Sequence, residues 1–421
     1  MIYKKYNNGI FNLYTVKTDK FKTCHMEIIF YNKFDENNIT KENVLSEILS
    51  YTNKKYNKRK LVVEHLQDLY NAKFMGTTTR VGKVRTINFV YEFIDPIYTD
   101  KSYLKEVIKF PFDMIFNPNV KNNEFDGKTL KIIKNLKQAE IESIKESPLR
   151  YSIKRALQCC DEDMPASKML VGNIKDLNKI NSSNLYQDYQ NLLNNYYCDI
   201  YLVGNLNMDK INIMIKDLFN NDIIKNQKLE YEYKLNDKLV SKKIEEKDEF
   251  EQSILVCLFK LNNLSNYEKN YVMPVFNSIF GSGSLNNKLY KNLRGDNSLC
   301  YNVSSLYQKF DNLIIVPTGI DYKNKNKAIS LIKKSLKEIE KGLFSDEDVE
   351  NAKKSIVNSI LSALDSPSDI CDNYFFHNSV SSPLLDERMN GFDNVSKKDI
   401  INLTKKIKLV TTYMMRGEKN E

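Results

Sequence analysis

Two distant stretches of this 421-residue chain run through the same succession of local patterns, and that repeat constrains the fold more than any other feature. A long amphipathic pattern over Asn123–Arg150 ends in Ile-Glu-Ser-Ile-Lys-Glu-Ser-Pro, and a second over Ser345–Asp369 carries Ser-Ile-Leu-Ser-Ala-Leu-Asp-Ser-Pro near its end. Apolar residues at three- and four-residue spacing mark both as helices with one buried face. A further helix follows each. Then comes a cap-like start, Asn181-Ser-Ser-Asn184 in one half and Val395-Ser-Lys-Lys-Asp399 in the other. Short polar side chains there can accept hydrogen bonds from the free N–H groups of a first helical turn. Each start leads through a helix to a strand closed by glycine, Tyr201-Leu-Val-Gly204 and Thr412-Tyr-Met-Met-Arg-Gly417.

Between these landmarks the periodicity switches between two and 3.6. His25–Tyr31, Thr86–Ile94, Cys198–Val203, Ser253–Phe259 and Leu313–Val316 read as strands. Helical spacing occurs at Val62, His65, Leu66 and Leu69, and again at Leu104, Val107 and Ile108. It recurs over Leu130–Ile144, Ile211–Phe219, Tyr271–Phe280, Ala328–Ile339 and Asp346–Leu364. The expected fold class is α+β, with two homologous halves, each an antiparallel-rich sheet covered on one face by helices. Residues 1–221 form the N-terminal domain, 222–243 a polar, aperiodic linker, and 244–421 the C-terminal domain.

Composition narrows the class. A 42% hydrophobic content with 21 Phe and 26 Tyr rules out a disordered chain. No apolar run is long enough to span a bilayer, and the start, Met1-Ile2-Tyr3-Lys4-Lys5, lacks the apolar core of a secretory signal. Seven cysteines with no CxxC spacing fit a reducing cytoplasm better than a disulfide framework. The net charge of +9 comes from basic residues spread along the chain and mixed with acids, which argues against nucleic-acid binding. There is no GxSxG elbow, P-loop or GxGxxG. Gly281-Ser-Gly283 by itself marks a turn, and the adjacent Cys159 and Cys160 read as ordinary thiols on a helix.

Asn292-Leu-Arg294-Gly-Asp-Asn-Ser-Leu-Cys-Tyr301 resembles the second-half signature of the M16 (pitrilysin and processing-peptidase) family. That signature joins an arginine through a short turn to a tyrosine that opens a strand. Phe280-Gly281-Ser-Gly283 with the following helix, Glu251-Gln252-Ser253 entering a strand, Asn117-Pro118, and Gly172 add to the likeness, which spans essentially the whole chain. The resemblance implies an M16 peptidase-like fold and substrate-binding roles for Arg294, Tyr301, Gly281 and Gly283.

Active M16 members carry His-x-x-Glu-His on an early helix and a further glutamate on a later one. Two imidazoles and a carboxylate leave Zn²⁺ one open position for a water, and the motif glutamate takes that water's proton. Here the motif positions hold Asn43, Ser46 and Glu47. No histidine lies between His25 and His65, so a shifted register restores nothing. For the distal carboxylate, spacing points to Glu124 and the helix pattern to Glu140. His25, His65 and His377 read as core or surface histidines without a partner at ligand spacing.

The expectation is therefore a chain with no metal ligands, no bound cofactor and no activity alone. The resemblance implies a heterodimer in which a zinc-bearing M16 subunit performs peptide cleavage. This chain would close the chamber and lend Arg294 and Tyr301 to bind the peptide and stabilise the oxyanion, donors of a kind worth about 2–4 kcal/mol. Membrane and nucleic acid are not expected partners. The alternative is a purely structural or peptide-binding scaffold subunit.

Overall fold

The computed structural model describes residues 1–219, 229–236, 241–283 and 285–418. It divides into two compact units. Unit 1 comprises Met1–Glu142, Met169–Tyr231 and Leu364–Ser379; unit 2 comprises Ser143–Lys168, Glu232–Ala363 and Val380–Glu421.

In unit 1 the strands are β1 (Ile2–Asn7), β2 (Asn12–Lys17), β3 (Thr23–Lys33), β4 (Lys73–Val81), β5 (Val84–Ile94), a small hairpin of β6 (Val120–Lys121) and β7 (Glu124–Phe125), and β8 (Tyr197–Gly204). The main sheet runs β1-β2-β8-β3-β5-β4. Only β2 and β8 pair in parallel. Alternation along β3 sends Cys24, Met26, Ile28 and Phe30 into the main core with Ile87, Phe89, Tyr91 and Phe93 of β5. The helices Ile39–Tyr51 and Tyr103–Phe116 close that face. The intervening residues point the other way: Tyr14, Val16, Ile29, Tyr201 and Val203 pack against Ile370, Cys371 and Phe375 of the helix Pro367–Val380.

In unit 2 the strands are β9 (Lys242–Asp248), β10 (Ser253–Leu261), β11 (Leu306–Gln308), β12 (Leu313–Ile320) and β13 (Ile407–Gly417), in the order β11-β12-β10-β13-β9. Here β13 and β9 form the parallel pair. All nine residues of β10 are buried, as a central strand covered on both faces requires. Leu255, Cys257 and Phe259 face one core. Ile254, Val256 and Leu258 face a second, where the helix Pro148–Cys160 contributes Ala156, Leu157 and Cys160.

Taking β2, β3, β4, β5 and β8 as five strands, and β9 to β13 as five more, both sheets read first–last–second–fourth–third. The parallel pair stands at the same place in each. The two halves are therefore homologous, and each sheet carries on its second face one helix from the other half of the chain.

Three expectations change in detail. Asn123–Arg150 is not one helix: Asn122 and Asn123, at φ 53° and 60°, turn the β6–β7 hairpin, a helix spans Gly127–Glu142, and Pro148 opens a new one. Tyr301 does not begin a strand; it lies in a loop before the isolated bridge at Val303. Of the expected linker, 222–228 and 237–240 lie outside the described residues, Tyr231 and Leu235 are buried, and Lys242 and Lys243 open β9.

Candidate functional site

Asn43, Ser46 and Glu47 share the helix Ile39–Tyr51, as their spacing requires. The Asn43 amide is engaged at both its nitrogen and its oxygen. Its Nδ2 donates to the Leu170 carbonyl at 2.7 Å, and its Oδ1 accepts from the Arg85 guanidinium at 3.0 Å and from the Thr78 hydroxyl. Arg85 is wholly buried and also donates to Glu42 Oε2 at 3.1 Å. Tyr196 donates to the other Glu42 oxygen at 2.6 Å. Burial pushes the Glu42 carboxyl up, against the opposing pull of these two donors. Ser46 spends its hydroxyl on the Asn43 carbonyl of its own helix.

Glu47 faces the helix Gly127–Glu142. The Lys137 ammonium lies 3.4 Å from Glu47 Oε2 and 2.9 Å from Glu140 Oε2. Of the two distal carboxylates, Glu140 is thus linked to the motif helix through Lys137, while Glu124 sits exposed on the β7 hairpin. A fixed lysine cation holds the two carboxylates together, and a buried guanidinium occupies the amide of Asn43. These residues do not fit a catalytic zinc: there is no imidazole, and cationic side chains fill the places where a metal's charge would go.

On the opposite face of the unit 1 sheet, His25 and Glu27 project together because they are two residues apart on β3. His25 Nε2 lies 2.8 Å from Glu27 Oε1, and Nδ1 lies 3.7 Å from Glu92 Oε1 on β5. Cys371 approaches from the helix Pro367–Val380. Donor atoms of His25, Glu27 and Cys371 all fall within 4.8 Å of one another, and all three residues are buried. This corrects the reading of His25 as partnerless. His65 is half-buried and stacks on Tyr56 at 4.5 Å, and desolvation lowers its pKa. Farther along the same face, Asp199 accepts from Asn12 Nδ2 and the Tyr31 hydroxyl, and burial pushes its carboxyl up to about 6.

In unit 2, Arg294 ends a wide helical turn over Tyr290–Gly295. Its guanidinium lies 5.1 Å from the Tyr290 ring centroid and 4.8 Å from that of Tyr301. Tyr301 itself is 81% exposed. Arg294 and Tyr301 are therefore neighbours, the guanidinium lying over both rings, a contact worth about 0.5–1 kcal/mol at an exposed site. Gly281 is buried where a Cβ would meet Leu289 at 2.4 Å and Ser305 at 2.8 Å. A Cβ at Gly283 would meet Ser278 at 2.5 Å. Close packing accounts for both glycines. Burial pushes the thiols of Cys159 and Cys160 up, the reverse of what an activated nucleophile needs.

Residues 179–356 match the family described as Peptidase M16 inactive domain. A protein 25% identical over 419 residues, 98% of this chain and 97% of its own length, is described as the probable inactive metalloprotease YmfF of Bacillus subtilis (strain 168). The chain is thus similar to M16 peptidases, and in particular to inactive ones. Its fold is also that of a conserved protein from Enterococcus faecalis V583, with TM-score 0.91, 24% identity, and coverage of 100% of this chain and 99% of that one. An M16 inactive domain from Pseudomonas fluorescens superposes with TM-score 0.80 at 13% identity, over 99% of this chain and 98% of its own. Together with the motif positions, these likenesses support a non-catalytic M16-like protein. Among the described residues, no helix is long and apolar enough to cross a membrane.

Proposed function

We propose that this M16-like chain is the zinc-free half of a two-subunit peptidase. It helps to close a chamber around a peptide and presents Arg294 and Tyr301 to a partner that holds the catalytic zinc. The observation that carries this reading is Tyr301, 81% exposed yet held by a guanidinium 4.8 Å from its ring. A tyrosine serving only the core would be buried; this one offers its phenol to solvent beside a guanidinium. Such a donor stabilises an oxyanion when it is positioned before the charge develops. The seven free cysteines, five of them buried, suit a reducing cytoplasm.

The test is to isolate the chain gently from its own cells, identify any companion, and assay the assembled pair on flexible peptides. We expect a companion carrying His-x-x-Glu-His. Tyr301→Phe and Arg294→Ala should each lower kcat at least tenfold with assembly intact. A pair that assembles but whose turnover ignores both substitutions would assign the chain a structural or peptide-binding scaffold role. A chain that never pairs with a zinc-bearing relative would overturn the proposal altogether.

A further inference from the structure

We propose that His25, Glu27 and Cys371 bind a structural Zn²⁺ within unit 1, fastening the helix Pro367–Val380 to β3. This site lies on the sheet face opposite the degenerate motif helix and is independent of the partner's catalytic zinc.

His25 is 2% exposed, Glu27 6% and Cys371 1%, and their donor atoms lie within 4.8 Å of one another. Among the described residues it is the one cluster that brings three metal-binding side chains so close. One nitrogen, one oxygen and one thiolate sulfur form a donor set that suits zinc and excludes the oxygen-seeking cations magnesium and calcium. Charge points the same way. With Cys371 as thiolate and Glu27 as carboxylate, two negative charges meet one divalent cation beside a neutral imidazole, and the carboxyl groups of Glu92 and Asp372 stand close by.

The geometry needs only small adjustments. Two ligands at about 2.0–2.1 Å from a tetrahedral zinc stand roughly 3.3 Å apart. His25 Nε2 and Glu27 Oε1, now 2.8 Å apart, would open by about half an ångström as the metal replaces the proton they share. Nδ1 would then carry the ring proton and point at Glu92 Oε1, 3.7 Å away, in the carboxylate–histidine–metal arrangement that fixes a ligand's orientation. Binding deprotonates the Cys371 thiol, forms the Zn–S bond and releases that proton to solvent. The fourth tetrahedral position is left to a ligand from outside these three residues.

The site has a mechanical consequence. Glu27 and His25 belong to a central strand, and Cys371 to a helix supplied by the far end of the sequence. A metal joining them ties the second-face helix to the sheet, where Ile370 and Phe375 already pack.

The test uses the full chain, stripped with a chelator and titrated with Zn²⁺, and with Co²⁺ as a spectroscopic stand-in. We expect one tightly bound equivalent per chain, a thiolate-to-cobalt charge-transfer band in the near ultraviolet, and a raised Tm on adding Zn²⁺. Cys371→Ser should abolish the band. His25→Gln should weaken binding at least tenfold, and Cys159→Ser should change neither. A cobalt spectrum of the wild-type chain without a thiolate band would overturn the proposal even if every variant failed to fold. So would a band that persists in Cys371→Ser or disappears in Cys159→Ser.

Discussion

At the scale of single residues, the second face of the unit 1 sheet holds a carboxyl that works against the fold. Asp199 is 3% exposed, and desolvation outweighs the hydrogen bonds from Asn12 and Tyr31 and the field of Lys5, pushing it up to about 6 from its ordinary 3.8. The folded chain therefore holds this proton when the unfolded chain has lost it, and stability falls as pH rises from about 4 to 6. Above that window the cost stands at about 3 kcal/mol. Asp199→Asn keeps both hydrogen bonds, its carbonyl accepting from Asn12 and its amide donating to the Tyr31 oxygen. Urea unfolding should show the variant more stable at pH 7 by up to ~3 kcal/mol, with the difference closing near pH 4. A gap that does not change with pH would mean that Asp199 titrates normally. The buried Arg85–Glu42 pair behaves in the opposite way, because removing one partner strands the other. Arg85→Met should cost about 3–5 kcal/mol, whereas a loss below about 1 would show that Glu42 is not dependent on it.

At the scale of elements, much was legible from periodicity alone, and the exceptions have local causes. β3, β5, β8, β10 and β12 all form where alternation places them, and the capping boxes at Asn181 and Ser396 form where short polar residues precede the helices. The single helix expected over Asn123–Arg150 fails because an apolar pattern cannot show that Asn122-Asn123 turns a hairpin, although paired asparagines tolerate positive φ. Pro148 reads as an end in the sequence, but proline fits a first helical turn equally well. At the candidate site the missing imidazoles were plain in the sequence, and so was the arginine–tyrosine spacing. Lys137 was not, since nothing local links it to Glu47. The two-residue spacing of His25 and Glu27 on a strand was readable, but Cys371 reaches them only through the tertiary fold. The loop at Gly172 offers an element-scale test. Its φ is +93°, and a Cβ there would lie 2.5 Å from Thr40 Oγ1 on the motif helix. Gly172→Ala should cost about 1–3 kcal/mol, seen as a lower Tm. An unchanged Tm would mean that the loop repositions at little cost and does not fix the helix start.

At the scale of the whole molecule, the units do not follow the chain. Unit 1 includes Leu364–Ser379, and unit 2 includes Ser143–Lys168. The symmetry of this exchange, with a proline opening each exchanged helix at Pro148 and Pro367, is what the repeated Ser-Pro runs encode. It carries an energetic consequence. Ile370 and Phe375 are buried against Tyr14, Val16, Ile29, Tyr201 and Val203. Each such side chain contributes roughly 1.5–3 kcal/mol when fully buried, so losing the helix removes a large share of the ~5–15 kcal/mol that holds an ordinary domain together. A fragment of residues 1–221, cut where the polar connector invites a boundary, should therefore bind 8-anilinonaphthalene-1-sulfonate, aggregate, and unfold without a sharp transition. Adding a peptide of residues 364–380 should suppress the dye binding, because it restores the apolar side chains that cover the second face. A fragment that stays monomeric and unfolds cooperatively without the peptide would show that the sheet tolerates an open second face, and the exchanged helix would then be dispensable to unit 1.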